Sequence, residues 1–174
     1  MPDYENEKPV VVIGSGIIGL SIAYKLCISG VNVQVLEKES LVSRHQSGRN
    51  SGVMHCGLSY KPGSLKAKLS RNGYFQLISF CEQNDIPFEI CGKLIVGKNI
   101  LEIKKLYDIG TSNGLKNLKI LDHNQASKIE PNIKGEFFLL VGEEGIVDYR
   151  EVCFKLKDLI IKNGGIVKLN SKVT

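Results

Sequence analysis

The residues best placed to do chemistry come early in the chain. Gly14, Gly16 and Gly19 stand in the run Gly14-Ser15-Gly16-Ile17-Ile18-Gly19, directly after the β-branched run Val10-Val11-Val12-Ile13. That spacing suits a diphosphate. Gly14 permits a tight turn, Gly16 lets a phosphate approach the backbone, and Gly19 allows a helix to lie close on the strand. A helix starting there offers free N–H groups and the positive end of its dipole. Ala23 and Leu26 continue at helical spacing, Gly30 ends the helix, and Val31 to Leu36 reads as a second strand closed by Glu37. A carboxylate at that point accepts hydrogen bonds from ribose hydroxyls, which favours an unphosphorylated ribose, FAD or NAD rather than NADP.

A second group of polar residues follows. From Lys38 the chain runs into His45-Gln46-Ser47-Gly48-Arg49-Asn50-Ser51-Gly52-Val53-Met54-His55-Cys56-Gly57, dense in hydrogen-bonding side chains and glycines. An NAD-binding domain ordinarily continues with another helix and strand at this point, so the loop argues against NAD. Ser47, Gly48, Ser51 and Gly52 are small enough for a ligand to approach the backbone, while Val53-Met54 is apolar enough to be buried. Among the three histidines, His45 is expected to structure the loop and His123 to sit in a surface turn. His55 is the candidate proton acceptor, because imidazole with its ordinary pKa of about 6.5 works near neutral pH.

The elements that must position these groups follow from pattern. The stretch from Val10 to Leu26 is nearly all apolar, but it is short for a membrane span and three glycines break its first half. It reads as a strand buried on both faces, turning into a helix. Ser64 caps a helix to about Glu82 with Leu65, Leu69, Phe75, Leu77, Ile78 and Cys81 inward. Short strands are expected at Phe88 to Ile90 and Leu94 to Val96. Asn99 with Glu102 forms a capping pair for a helix carried by Leu101, Leu106 and Ile109 to Gly114. Leu118 to Leu121 and Phe137 to Val141 read as strands, the latter turning through Gly142 and Gly145 into Ile146-Val147. Asp148 with Glu151 caps a last helix to Asn163, and Ile166 to Leu169 is a further buried strand.

Composition narrows the class. Apolar residues make up 43% of the chain and charged residues 24%, enough for a core and far from a disordered balance. The net charge of +5 is scattered with no block of like charges, which argues against a nucleic-acid partner. Five cysteines with no C-x-x-C pair suit neither a disulfide framework nor a zinc site and point to a reducing, cytoplasmic interior. The start of the chain, Met1 to Lys8, carries Asp3, Glu5 and Glu7 and no Arg, unlike a secretory or mitochondrial leader.

Taken together, the fingerprint ending in Glu37 and the motif His45-Gln46-Ser47-Gly48-x-Asn50-Ser51-Gly52-Val53-x-His55-x-Gly57 resemble FAD-dependent oxidoreductases of the D-amino-acid oxidase superfamily. Within it, the sequence is most similar to the L-2-hydroxyglutarate dehydrogenase/oxidase family. Tyr60-Lys61-Pro62-Gly63-Ser64-Leu65-Lys66-Ala67, Cys91-Gly92-Lys93-Leu94-Ile95-Val96, Glu130-Pro131-Asn132-Ile133 and Gly145-Ile146-Val147-Asp148-Tyr149-Arg150 extend the likeness from about Pro9 to the last residue.

The resemblance implies an α/β fold: a Rossmann-like FAD-binding domain over residues 1–87 and 148–174, discontinuous and incomplete, interrupted at 88–147 by part of an α+β substrate-binding domain. It implies that FAD is held by Gly14, Gly16, Ile17, Ile18, Gly19, Glu37, Lys38, Ser47, Asn50, Ser51, Gly52 and the Val173 backbone. His55 would be the base beside the flavin, with Tyr60 and Lys61 on a 2-hydroxy dicarboxylate substrate and a quinone or oxygen as electron acceptor. A quinone acceptor is compatible with peripheral attachment to the inner face of a membrane. Some relatives bind flavin covalently, but Cys56 is expected to be a small buried thiol. Glycerol-3-phosphate enzymes of this kind carry Arg where this chain has Ser59. Family members are much longer, so the chain is expected to be a fragment or a shortened homologue. A non-catalytic FAD-binding fragment, a glycerol-3-phosphate or amino-acid oxidase, and an NAD-dependent dehydrogenase are the alternatives.

Overall fold

The computed structural model describes residues 8–174. The acidic start that argues against a leader falls almost wholly on residues 1–7, outside the described residues. In chain order the elements are β1 (Val10–Ile13), α1 (Ile17–Ile28), β2 (Val33–Leu36), a 3-10 turn (Gln46–Gly48), β3 (Val53–Met54), α2 (Leu65–Gln83), β4 (Phe88–Glu89) and β5 (Lys93–Gly97). There follow α3 (Ile100–Ser112), β6 (Leu118–Leu121), α4 (His123–Ala126), β7 (Phe137–Val141), β8 (Gly145–Val147), α5 (Tyr149–Lys162) and β9 (Ile166–Lys168). They form two compact units, Met1–Gly52 with Asp148–Thr174, and Val53–Val147.

The first unit is built on a parallel sheet of order β1-β2-β9, in which Val12 pairs with Val35 and Val35 with Val167. Central β2 buries Val33 and Val35 completely, with α1 packed against it and α5 against α1 and β9. The helices meet the sheet and each other through Leu20, Ala23 and Cys27 on α1 and Val152, Cys153, Leu156 and Ile160 on α5. Burial of β1 on both faces is not found: Val11 is 49% and Ile13 69% exposed, and Ile166 of β9 is exposed as well. Both are edge strands with β2 on one side only among the described residues, so their β-branched runs reflect pairing rather than a filled interior.

The second unit holds two antiparallel sheets, β3-β8-β4 and β5-β7-β6. Their central strands are the apolar ones. Phe138, Leu139 and Val141 of β7 are fully buried and pair with β5 on one side and β6 on the other. Helix α3 approaches this sheet closely at Gly110, where a Cβ would come 2.7 Å from Leu58 Cδ1 and 2.8 Å from Leu118 Cδ1.

Helix α2 departs from expectation in two ways. It belongs to the second compact unit, Val53–Val147, rather than standing with the residues up to 87 in the first. The reason is polar: on α2, the Tyr74 hydroxyl donates to the Glu143 carbonyl at 2.5 Å, and Arg71 Nη2 lies 2.6 Å from Glu143 Oε2. The same anchors turn the helix. Ala67, Tyr74 and Cys81 are buried, whereas Leu65, Leu69 and Phe75 are exposed, and Phe75 lies against the Arg71 guanidinium at 4.6 Å. Apolar periodicity alone could not show that a tyrosine seeking a carbonyl would choose the face.

Caps bear out the helix starts with local differences. Ser64 Oγ accepts from Ala67 N–H at 3.2 Å and Asn99 Oδ1 from Glu102 N–H at 3.0 Å. Leu101 is nevertheless exposed on α3. Asp148 does not cap with Glu151; it accepts from Arg150 N–H at 2.8 Å and grips the Arg150 guanidinium at 2.7 Å. His123 opens the short helix α4 rather than lying in a bare turn.

Leu139→Ala removes a fully buried side chain from β7 and is expected to cost about 3 kcal/mol. Val96→Ala, on a half-exposed position of neighbouring β5, is expected to cost under about 1 kcal/mol. Urea unfolding of the two variants checks the contrast.

Candidate functional site

Of the sequence-predicted cofactor residues, Gly14, Gly16, Ile17, Ile18, Gly19, Glu37 and Ser47 meet around the N-terminus of α1 in the first unit. Gly14 takes φ of +97°, a left-handed turn that hands the chain from β1 to the helix, and its N–H donates to the Leu36 carbonyl at 2.8 Å. Gly19 is required by contact: a Cβ there would lie 2.1 Å from the Gly14 carbonyl oxygen. A Cβ on Gly16 would stand 3.1 Å from Ser47 Oγ. Together these leave backbone at the surface of the turn. The first-turn amides of Ile18 and Gly19 have no intrahelical partner, as at any helix start. The Ile17 amide does have one, since Ser47 Oγ accepts from it at 2.9 Å.

Glu37 does more than wait for a ribose. Its Oε2 accepts from Ser15 N–H and Ser15 Oγ, each at 2.8 Å, and its Oε1 from Glu39 N–H at 2.9 Å. Burial by itself would raise the carboxyl, but the hydrogen bonds from Glu39 and Ser15, with His45 nearby, outweigh it and hold it below the ordinary glutamate value. The carboxylate therefore ties the end of β2 to the glycine turn. Ser43 N–H donates to the Ser15 carbonyl at 3.1 Å and brings the polar loop onto the same turn. Asn50 shapes that loop, donating to the Gln46 and Ser47 carbonyls at 3.0 and 2.9 Å and accepting from Gly52 N–H at 2.8 Å. Ser51 is exposed, Lys38 reaches Glu39 at 3.8 Å, and His45 meets Glu39 at 2.9 Å, the structuring role expected of it. Ser171 N–H donates to the Glu37 carbonyl at 2.7 Å, holding the segment that ends in exposed Val173 against the end of β2. Turn, helix end, buried carboxylate and loop fit a dinucleotide whose diphosphate rests on backbone amides.

The second unit presents a different cluster. His55 follows β3 directly, and its imidazole is 64% exposed with Nδ1 3.6 Å from Glu144 Oε1. Glu144 is almost wholly buried, and its Oε2 lies 2.5 Å from Lys93 Nζ at the start of β5. The neighbouring Cys56 is fully buried and directs its thiol to Glu144 Oε1 at 3.7 Å. Burial first, then the charge of Glu144, pushes that thiol up to about 12, so it is a neutral packing group and no nucleophile. Tyr60 and Lys61 lie on a loop held by Asn113 Nδ2, which donates to the carbonyls of Gly57 and Tyr60 at 3.0 and 2.8 Å. Lys61 is exposed, and Lys66 Nζ sits 5.1 Å from the Tyr60 ring centroid. Spacing along the chain did not reveal Lys93 and Glu144. Glu144 reads as one of two acids in a turn, and only the pairing of β3 with β8 brings it beside His55.

A parallel βαβ core with a glycine turn and a terminal buried acid defines a dinucleotide-binding fold. The family model described as FAD dependent oxidoreductase matches residues 9–174, and the chain belongs to that family. It is 41% identical to the mitochondrial L-2-hydroxyglutarate dehydrogenase of Nematostella vectensis over 95% of its own length and 37% of the relative's. It is 37% identical to the L-2-hydroxyglutarate dehydrogenase of Escherichia coli, over 94% of this chain and 40% of that one. The chain thus spans about two fifths of the length of these relatives. Among solved structures, FAD-bound L-α-glycerophosphate oxidase from Mycoplasma pneumoniae superposes with a TM-score of 0.87 at 25% identity, over 95% of this chain and 45% of the oxidase. L-proline dehydrogenase from P. horikoshii has the same fold, with a TM-score of 0.85 at 19% identity over 97% and 45% of the two chains. No helix among the described residues is long and apolar enough to cross a membrane, and no group of His, Cys, Asp or Glu among them could hold a metal ion.

Because its carboxyl is held low in the folded chain, Glu37 contributes stability that is complete above the ordinary glutamate range and is lost as pH falls through that range and below it. Glu37→Gln is expected to lower the urea midpoint at pH 7. The difference from the parent is expected to shrink below about pH 4, as measured by unfolding across pH.

Proposed function

We propose that this chain is the FAD-binding portion of an enzyme that oxidises L-2-hydroxyglutarate to 2-oxoglutarate. The observation that carries the reading is the glycine turn braced by buried Glu37, together with the likeness to L-2-hydroxyglutarate dehydrogenases along nearly all of the chain. Residues 1–52 and 148–174 serve as the cofactor domain, and 53–147 as part of the substrate domain. Gly14, Gly16, Ile17, Ile18 and Gly19 receive the diphosphate, and Glu37 with Lys38 the adenosine ribose. Ser47, Asn50, Ser51 and Gly52 lie along the rest of the cofactor, with the Val173 backbone at the adenine. When bound, FAD supplies the two-electron acceptor for the hydrogen on C2 of the hydroxy acid.

What remains for the protein is to bind, orient and deprotonate. His55 takes the C2 hydroxyl proton; its exposed imidazole is free to meet a ligand. Tyr60 and Lys61 hold a substrate carboxylate. Ser59 offers a phosphate no charge, which favours a dicarboxylate over glycerol 3-phosphate. Quinone or oxygen takes up the electrons, and the enzyme works in the cytoplasm or at the inner face of a membrane. A second reading is supported by the span of about two fifths of the relatives. In that reading these residues bind FAD but turn over substrate only with the remaining portion present.

Protein incubated with FAD, freed of unbound flavin by gel filtration and exposed anaerobically to L-2-hydroxyglutarate discriminates these readings. Yellow colour that bleaches supports the enzyme, yellow colour that persists supports the binding portion, and a colourless protein stabilised by NAD contradicts both. In a form that turns over, His55→Ala is expected to lose activity by about 100-fold or more while retaining flavin. Near-normal turnover would remove His55 from the base role.

A further inference from the structure

Glu144 is a buried carboxylate for which packing alone gives no reason. Its neighbour Glu143 is fully occupied in holding the fold, accepting from the Lys116 and Asn117 amides at 2.5 and 3.1 Å and pairing with Arg71 at 2.6 Å. Glu144 makes none of these bonds. Its backbone carbonyl accepts from Gly92 N–H at 2.8 Å, and its side chain turns inward to Lys93, Cys56 and His55. The placement is fixed by register. Met54 pairs with Gly145 across β3 and β8, so the next residues outward, His55 and Glu144, are cross-strand neighbours. Gly145 must be glycine for this, since a Cβ there would lie 2.4 Å from the Glu89 carbonyl oxygen.

We propose that Glu144 is the positioning residue of His55, holding the imidazole with its proton on Nδ1 and its Nε2 lone pair free, while Lys93 serves as the counter-charge of Glu144. The proposal rests on the reading of His55 as proton acceptor and deepens it. An unpaired buried carboxylate is costly or takes up a proton. Lys93 Nζ, 2.5 Å from Oε2, removes that cost and leaves Oε1 facing His55 Nδ1 and the Cys56 thiol. A carboxylate near one ring nitrogen draws the single proton of neutral imidazole to that nitrogen and attracts the imidazolium formed after proton transfer. Because Lys93 offsets much of the negative charge, the effect of Glu144 is on the orientation and tautomer of the ring. The other charged groups nearby, Glu143 and Arg71, satisfy each other.

The test reads the tautomer directly. Long-range proton–nitrogen NMR of the nitrogen-15-labelled chain, at a pH where imidazole is neutral, reports which ring nitrogen of each of the three histidines carries the proton. His55→Asn assigns the His55 signals. His55 Nδ1 is expected at a protonated-nitrogen shift and Nε2 at a bare-nitrogen shift, with the two populations moving toward the free-imidazole balance in Glu144→Gln. Should that variant not fold, the double variant Glu144→Gln/Lys93→Met removes both charges together and is expected to fold and show the same change. A parent chain with the proton on Nε2, or a tautomer unmoved when Glu144 is neutralised, would overturn the proposal. The measurement needs neither flavin nor substrate, so its outcome is separate from that of the turnover test on His55.

Discussion

The first unit depends on one close approach: the N-terminus of α1 against the turn that leaves β1. A single added carbon at Gly19 would drive a side chain into the Gly14 carbonyl. With hydrogen there instead, the helix start lies on the strand end, and after the Ile17 amide, which Ser47 Oγ receives, the Ile18 and Gly19 amides have no intrahelical partner. The Glu37 carboxylate then secures the arrangement from below, accepting two hydrogen bonds from Ser15 and one from Glu39. The polar loop and the segment after β9 both attach to this pair of features, through Ser43 to Ser15 and through Ser171 to Glu37. Remove the close approach and the loop residues have nothing to organise around.

The second unit solves a different problem with similar means. Its carboxylates, adjacent in sequence, divide the work. Glu143 fastens α2 and the segment before β6, and Glu144 goes inward to a lysine and a histidine. Cys56, a full step from His55, shows how local the chemistry is: burial first, and then the same carboxylate that faces the imidazole, raise its thiol. An exposed imidazole over a buried, compensated carboxylate is a surface feature supported from within.

Much of the fold was legible because short-range physics fixed it. The glycine spacing and Glu37 announced the βαβ core, Ser64 and Asn99 marked helix starts, and β6 and β7 lie where the apolar runs put them. The sequence misled where a long-range bond outranked local pattern. Tyr74 reaching the Glu143 carbonyl turned α2 away from its apparent apolar face and moved that helix into the second unit. Apolar β1 and β9 looked like interior strands, yet each has a single described neighbour. Asp148 does cap α5, but through the Arg150 amide and guanidinium and not as a pair with Glu151. At the sites, Gly14, Gly16, Gly19 and Glu37 could be read in one dimension. Glu144 and Lys93 could not, because their meeting with His55 exists only once β3 and β8 have paired.

The most direct test of the central claim follows the backbone amides of residues 14–19 by proton–nitrogen NMR as FAD is added to the chain. Large, saturable shifts at Gly16, Ile18 and Gly19 are the result this account requires. Amides that stay in place through an excess of FAD would contradict it.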